Sequence, residues 1–144
     1  MKRVRIEEVG LFDVNFDTGQ RYWSRELKQL LGLASDTPAD FQVFLQRVYP
    51  EDRRAVTAIA MQPFRSDCPR HTTSEFRIMG GDGAIHWVHL ERATIFRASP
   101  ERDVVRVAGF IVEISEPANR PWTKHTIDFA QPVVALPAMQ TASI

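Results

Sequence analysis

The 144-residue sequence has a single cysteine, Cys68, so no intramolecular disulfide can staple it. No apolar run approaches the roughly 18 residues that a membrane helix needs, so the chain is not expected to span a bilayer. The basic start Lys2-Arg3-Val4-Arg5 runs into Ile6-Glu7-Glu8 rather than an apolar core. That predicts no secretory leader and, with the lone thiol, a reducing, cytoplasmic setting. Net charge is missing too: 18 basic and 18 acidic side chains cancel. No overall field would then draw the protein to nucleic acid or to an anionic membrane. Nucleophile-elbow and metal-ligand spacings are absent, and Gly80-Gly81-Asp82-Gly83 joins two strands rather than a strand and a helix, so it is no phosphate cradle. No catalytic residue and no metal ligand is predicted.

What is present is pattern. Phe12, Val14 and Phe16 recur at every second position, the period of a half-buried strand, and Asp17-Thr18-Gly19-Gln20 turns it into a short strand at Arg21-Tyr22-Trp23. Ser24 stands where a helix cap belongs, Leu27, Leu30 and Leu31 share a face, and Gly32 can end that helix. Thr37-Pro38-Ala39-Asp40 predicts a second helix start, with Thr37 as cap and Pro38 at the first helical position, followed by Phe41, Phe44, Leu45 and Val48 at helical spacing. Tyr49-Pro50-Glu51-Asp52 opens a third helix, with Val56, Ile59 and Ala60 as its apolar stripe. The rest alternates as strands: "TTSEFRIM", a Gly-rich turn, "AIHWVHLERATIF", the turn Ser99-Pro100-Glu101-Arg102, then "VVRVAGFIVEIS". Two strands, three helices and three strands in that order predict an α+β fold: a five-stranded antiparallel sheet with short helices packed on one face.

That order and its local motifs resemble the PAS domain, in the subgroup with Glu-x-Arg, Gly-turn and Trp-Val strand motifs. The matching stretches are "FDVNFDTGQRYWS", "YPEDRR" where the family has His-Pro-x-Asp-Arg, "EFRIMGGDGAIHWV", and "GFIVEIS" where it closes on Gly-x-x-x-Asp-Ile-Thr. The resemblance divides the chain into an extension at 1–8, a PAS-like domain at 9–115 and a Pro-containing tail at 116–144. It implies a sensory or interaction module holding a small molecule or a partner between sheet and helices. It identifies no cofactor. The cysteine stretch Gly-x-Asn-Cys-Arg of the flavin photosensors is absent, and the helix from Pro50 has no histidine where haem-binding relatives carry their iron ligand, so covalent flavin and haem in the usual geometry are disfavoured.

Parity assigns the candidate sites. Phe76, Ile78, His86, Val88, Leu90, Val107 and Ile111 on the sheet should face Phe44, Leu45, Val56 and Ile59 on the helices, enclosing either a closed core or a cavity for a small hydrophobic ligand. His86 would be a polar handle there, or a strand-end histidine bonded to backbone or water. His86 and His89 fall on opposite faces and cannot share a metal. Trp87, Ala93, Ile95, Ala108, Phe110, Val112 and Ile114 should point away from the helices as an apolar patch needing cover, from a second subunit or from the tail. Glu113 and Ser115 stand in the family's closing Asp-Ile-Thr as the expected signal junction. Beyond them, Pro117, Pro121, Pro132 and Pro137 rule out a long output helix, leaving either a flexible tail or a docked extended segment.

The expected function is a non-enzymatic sensory module working by homodimerisation or by association with a separate signalling protein. The alternatives are a ligand-free structural dimerisation module and a small α+β isomerase or dehydratase with His86 and Asp13 as acid and base. The last requires both groups in one pocket, and parity turns Asp13 outward.

Overall fold

A computed structural model describes residues 8–115. The expectations for residues 116–144, and for 1–7 of the extension, lie outside the described residues. The strands are β1 (Gly10–Asn15), β2 (Arg21–Trp23), β3 (His71–Met79), β4 (Ile85–Phe96) and β5 (Val104–Ile114), and the helices α1 (Arg25–Leu30), α2 (Phe41–Arg47) and α3 (Arg53–Met61). They form the expected antiparallel five-stranded sheet, and its strand order is β2-β1-β5-β4-β3.

Local chemistry sets the elements. The Ser24 hydroxyl accepts from the Leu27 amide at 3.2 Å and from the Leu11 amide at 2.9 Å, so one side chain starts α1 and pins it to β1. Gly32 closes α1 at φ +70°, and a Cβ there would stand 2.3 Å from the Cα of Gly81. The left-handed turn after α1 thus packs backbone to backbone on the β3–β4 turn.

The second helix starts later than the Thr37-Pro38 signal implies. Residues 37–40 are not helical, and Asp40, itself extended, is the cap, its carboxylate accepting from the Gln42 amide at 2.7 Å. Two cap-like residues compete three positions apart, and the one next to the apolar run Phe41-Phe44-Leu45 prevails because the helix forms only where it buries a face. The third helix is entered through a 3₁₀ turn, Pro50–Asp52, and left through another, Gln62–Phe64.

The two motifs behind the resemblance meet in space. Asp52, 2% exposed, accepts from the Arg77 backbone amide at 3.0 Å and from its guanidinium at 2.9 Å (Nε) and 2.6 Å (Nη2). The guanidinium also lies over the rings of Tyr49 and Trp87. With the Val48 to Ile78 bridge, this clamps the α2–α3 connection onto β3 and covers an edge strand. The hydrogen bond to Asp52 raises the Arg77 pKa above its ordinary value.

Leu27, Leu31, Val48, Phe76, Ile78 and Val88 are the most deeply buried side chains, gathered between helices and sheet. Gly109, in the middle of β5, leaves no room for a side chain: a Cβ there would meet the Glu91 carbonyl oxygen at 1.9 Å.

Candidate functional site

The interior is not filled evenly. Near the β3–β4 turn, Ile78 and Val88 are fully buried and pack with Val48 and Leu31 as closed core. Toward β1 and the end of α3, helices and sheet diverge around a cavity of about 370 Å³. From the sheet it is lined by Phe76, Leu90, Val107 and Ile111, and from the helices by Phe44, Val56 and Ile59, all residues that parity had turned inward. Phe12, Trp23 and Phe41 add aromatic wall that the sequence pattern had not assigned to the cavity. Trp23 and Phe76 each meet Phe44 edge to face, at 6.4 Å and 6.0 Å between ring centroids.

Ile78, Val88 and His86 are not among the described lining residues. The first two sit in the closed end. His86 stands at the strand's start, where the chain turns, and carboxylates there take up its ring before it can reach inward. Its Nδ1 lies 2.7 Å from Glu113 Oε2 and its Nε2 2.9 Å from Asp82 Oδ1. With a carboxylate against each nitrogen, both must donate, which is the imidazolium form. The bond to Asp82, and then that to Glu113, raises the His86 pKa above 6.5 against the opposing effect of burial, and the same bond lowers Asp82. The expected junction residue Glu113 is therefore tied to the β3–β4 turn, while Ser115 follows it exposed.

At its open side the cavity is bordered by exposed apolar residues: Phe16 (41%), Phe64 (55%) and Met61 (58%), the two rings meeting edge to face at 5.4 Å. Arg21 and Asp40 are charged residues in the same wall, and Asp40 is occupied as the α2 cap. Deeper in lies a side chain the sequence reading missed. Arg92, 4% exposed, shares the inward parity of Val88 and Leu90 and lines the cavity. Nη1 donates to the Ile59 carbonyl at 2.7 Å and Nη2 to the Gln62 Oε1 at 2.9 Å, holding the end of α3 to β4. Its parity with Leu90 was the available signal.

Asp13 is bonded to Arg106 on the face away from the helices, so it does not converge with His86 on any pocket. Cys68 is buried in the loop before β3, its thiol pKa raised by burial, which makes it a poor nucleophile. Among the described residues no group of three or more His, Cys, Asp or Glu is placed to hold a metal, and no helix is long and apolar enough to cross a membrane.

The outer face carries the expected Trp87, Ile95, Phe110, Val112 and Ile114, but it is more polar than their alternation suggests. The register sets Trp87 against Ile114, His89 against Val112 and Glu91 against Phe110. His89 bonds Glu75 at 3.2 Å and Glu91 at 3.0 Å, and Glu91 also pairs with His71 at 3.4 Å. A string of ionisable groups thus crosses the face beside the apolar residues, with a hollow of about 380 Å³ between Leu11, Tyr22 and Phe110.

A family model described as the PAS fold matches residues 20–111. The sensor protein FixL of Bradyrhizobium diazoefficiens is 32% identical over 117 residues, 79% of this chain and 22% of that protein. The blue-light-activated histidine kinase of Brucella anthropi is 23% identical over 113 residues, 78% of this chain and 22% of that protein. The chain thus spans only 22% of the length of these curated relatives. The N-terminal domain of a diguanylate cyclase with PAS/PAC sensor from Marinobacter aquaeolei superimposes at a TM-score of 0.59 with 20% identity, over 74% of this chain and 95% of that one. A sensory box histidine kinase/response regulator from Burkholderia thailandensis does so at 0.55 with 22% identity, over 75% and 78%. The family model covers well over half of the chain, and the chain belongs to the PAS-fold family.

Proposed function

We propose that this domain is a non-catalytic sensory and interaction module that holds a small, largely apolar ligand between the sheet and the helices. The observation that carries this reading is the aromatic-walled cavity of about 370 Å³ in a core that is otherwise closed. Its size falls at the lower end of the roughly 300–1,000 Å³ typical of small-molecule sites. Exposed Phe16, Met61 and Phe64 at its border offer apolar surface that a ligand would cover. The relatives support a sensory role by their names, a sensor protein and a blue-light-activated kinase, though those signals belong to those proteins.

The response would leave through the outer sheet face, where Trp87, Ile95, Phe110, Val112 and Ile114 are proposed to meet a second copy of the chain. A separate signalling protein is the alternative partner on that face, and residues 116–144 are the alternative cover. Glu113 and Ser115 form the proposed junction. Glu113 sits on β5 beside the register that holds Ile111 in the cavity wall, so a displacement of that strand by ligand reaches both. A cytoplasmic setting is part of the proposal and rests on the lone thiol, Cys68.

Native mass spectrometry of the purified chain tests both halves at once. A retained small molecule in a dimer is the expected result, and Phe110→Glu should give a monomer that keeps the molecule. A ligand-free monomer contradicts the reading. A ligand-free dimer favours the structural dimerisation module.

A further inference from the structure

The surroundings of Arg92 bear on what the cavity takes. This guanidinium is 4% exposed, and its Nε is buried with no hydrogen-bond partner. Its two hydrogen bonds go to neutral acceptors, the Ile59 carbonyl and the Gln62 side chain. Among the described residues no carboxylate pairs with it; Asp40, the carboxylate in the same wall, caps α2 instead. Cys68 is the electrostatic neighbour that acts on it among the described residues, and burial pushes that thiol's pKa up, away from the thiolate. The carbonyls at the end of α3 offset part of the charge but do not neutralise it. Burial pulls the Arg92 pKa down to about 10, which still leaves the group charged at neutral pH.

A buried cation normally has a counter-ion, and Arg77, clamped on Asp52, shows how this fold supplies one. Arg92 instead lines a cavity whose other deep walls are Phe12, Phe44, Phe76 and Ile111. We propose that Arg92 anchors the carboxylate of an amphipathic monocarboxylic acid whose aromatic or short acyl body fills the cavity. This rests on reading the cavity as a ligand site and specifies what enters it. The planar guanidinium suits a carboxylate better than a lone hydroxyl, because its parallel N–H groups can donate to both oxygens at once. A dianion is disfavoured by the single deep cation, and a neutral hydrocarbon leaves that cation unpaired.

The test compares 4-phenylbutyrate with 4-phenylbutanol, a pair with the same body, by calorimetric titration of the full 144-residue chain. The acid should bind at least about tenfold tighter, as expected for a charge-assisted hydrogen-bonded pair. Arg92→Met should erase that preference while leaving the alcohol's affinity within about threefold. Arg21→Met, at the cavity border, should preserve the preference. Should Arg92→Met not fold, the Arg92 Nε–H resonance of the unmodified protein gives a second readout, moving with the acid and not with the alcohol. Equal affinities for acid and alcohol overturn the anchor and leave the cavity reading standing. A preference that survives Arg92→Met, or an unmoved Nε–H resonance, overturns it as well. Binding of neither compound overturns both the anchor and the cavity reading.

Discussion

The two ends of the interior are built from the same kinds of residue and reach opposite results. At the β3–β4 end, Ile78 and Val88 are fully enclosed and the nearby arginine, Arg77, is locked onto the buried carboxylate of Asp52. At the other end, Leu90, Val107 and Ile111 face the cavity, and the arginine, Arg92, has only neutral oxygens among the described residues. One end satisfies its polar groups internally and closes. The other leaves volume and a charge over. In a protein interior packed to crystal-like density both are costly, and their coincidence at one place is the ground for proposing that place as the ligand site.

The largest effect should come from breaking the satisfied end. Asp52→Ala removes the buried carboxylate that clamps Arg77 and should cost about 3–5 kcal/mol in urea unfolding. A loss below about 1 kcal/mol would show that the clamp is solvated and that the two arginines do not differ as described.

The next pair removes the same side chain at each end. Ile78→Ala, in close packing, should fall at the upper part of the roughly 2–5 kcal/mol range for such truncations, and Ile111→Ala, beside an existing cavity, at the lower part. Denaturant melts of the two variants check the order, and equal losses would erase the contrast. In the opposite direction, Val88→Trp overfills closed core and should destabilise by about 1–3 kcal/mol or more, whereas Ile111→Trp should fold and lose any retained ligand. Thermal melts with native mass spectrometry distinguish them.

Much of this contrast was legible in the sequence and part was not. Alternation placed Phe76, Leu90 and Ile111 on the helix side, and Ser24 and Gly32 marked both ends of α1 by chemistry that acts within a few residues. Which inward residues would touch each other and which would face a gap depends on how far α2 and α3 stand off the sheet, and no local pattern encodes that distance. The α2 start was misplaced for a related reason: Thr37 has cap chemistry, but the apolar face to be buried begins at Phe41. His86 had the right parity but sits where the strand begins, within reach of Asp82, so a turn residue decides its contacts. The string from Glu75 through His89 and Glu91 to His71 joins two strands and needed the β3–β4 register to be seen. Arg92 was readable from parity alone, and a cation among Val88, Leu90 and Thr94 was the signal.

The smallest effect concerns the tie between β5 and the β3–β4 turn. Its His86 pKa is raised above 6.5, so its stabilisation is complete below that value and disappears as pH rises through the higher folded-state value. Asp82 is lowered below 3.8, so its share disappears as pH falls through that lower value. The stability difference between the unmodified protein and His86→Gln should therefore be greatest in the mildly acidic range and shrink toward alkaline pH. Melting curves across pH check this, and a difference that grows with pH would contradict the tie.

Methyl-resolved NMR during a titration with 4-phenylbutyrate tests the central claim most directly. The methyls of Val107 and Ile111 should shift while those of Ile78 and Val88 stay in place. Shifts centred on Ile78 and Val88, or no shift at either end, would contradict the assignment of the open end as the site.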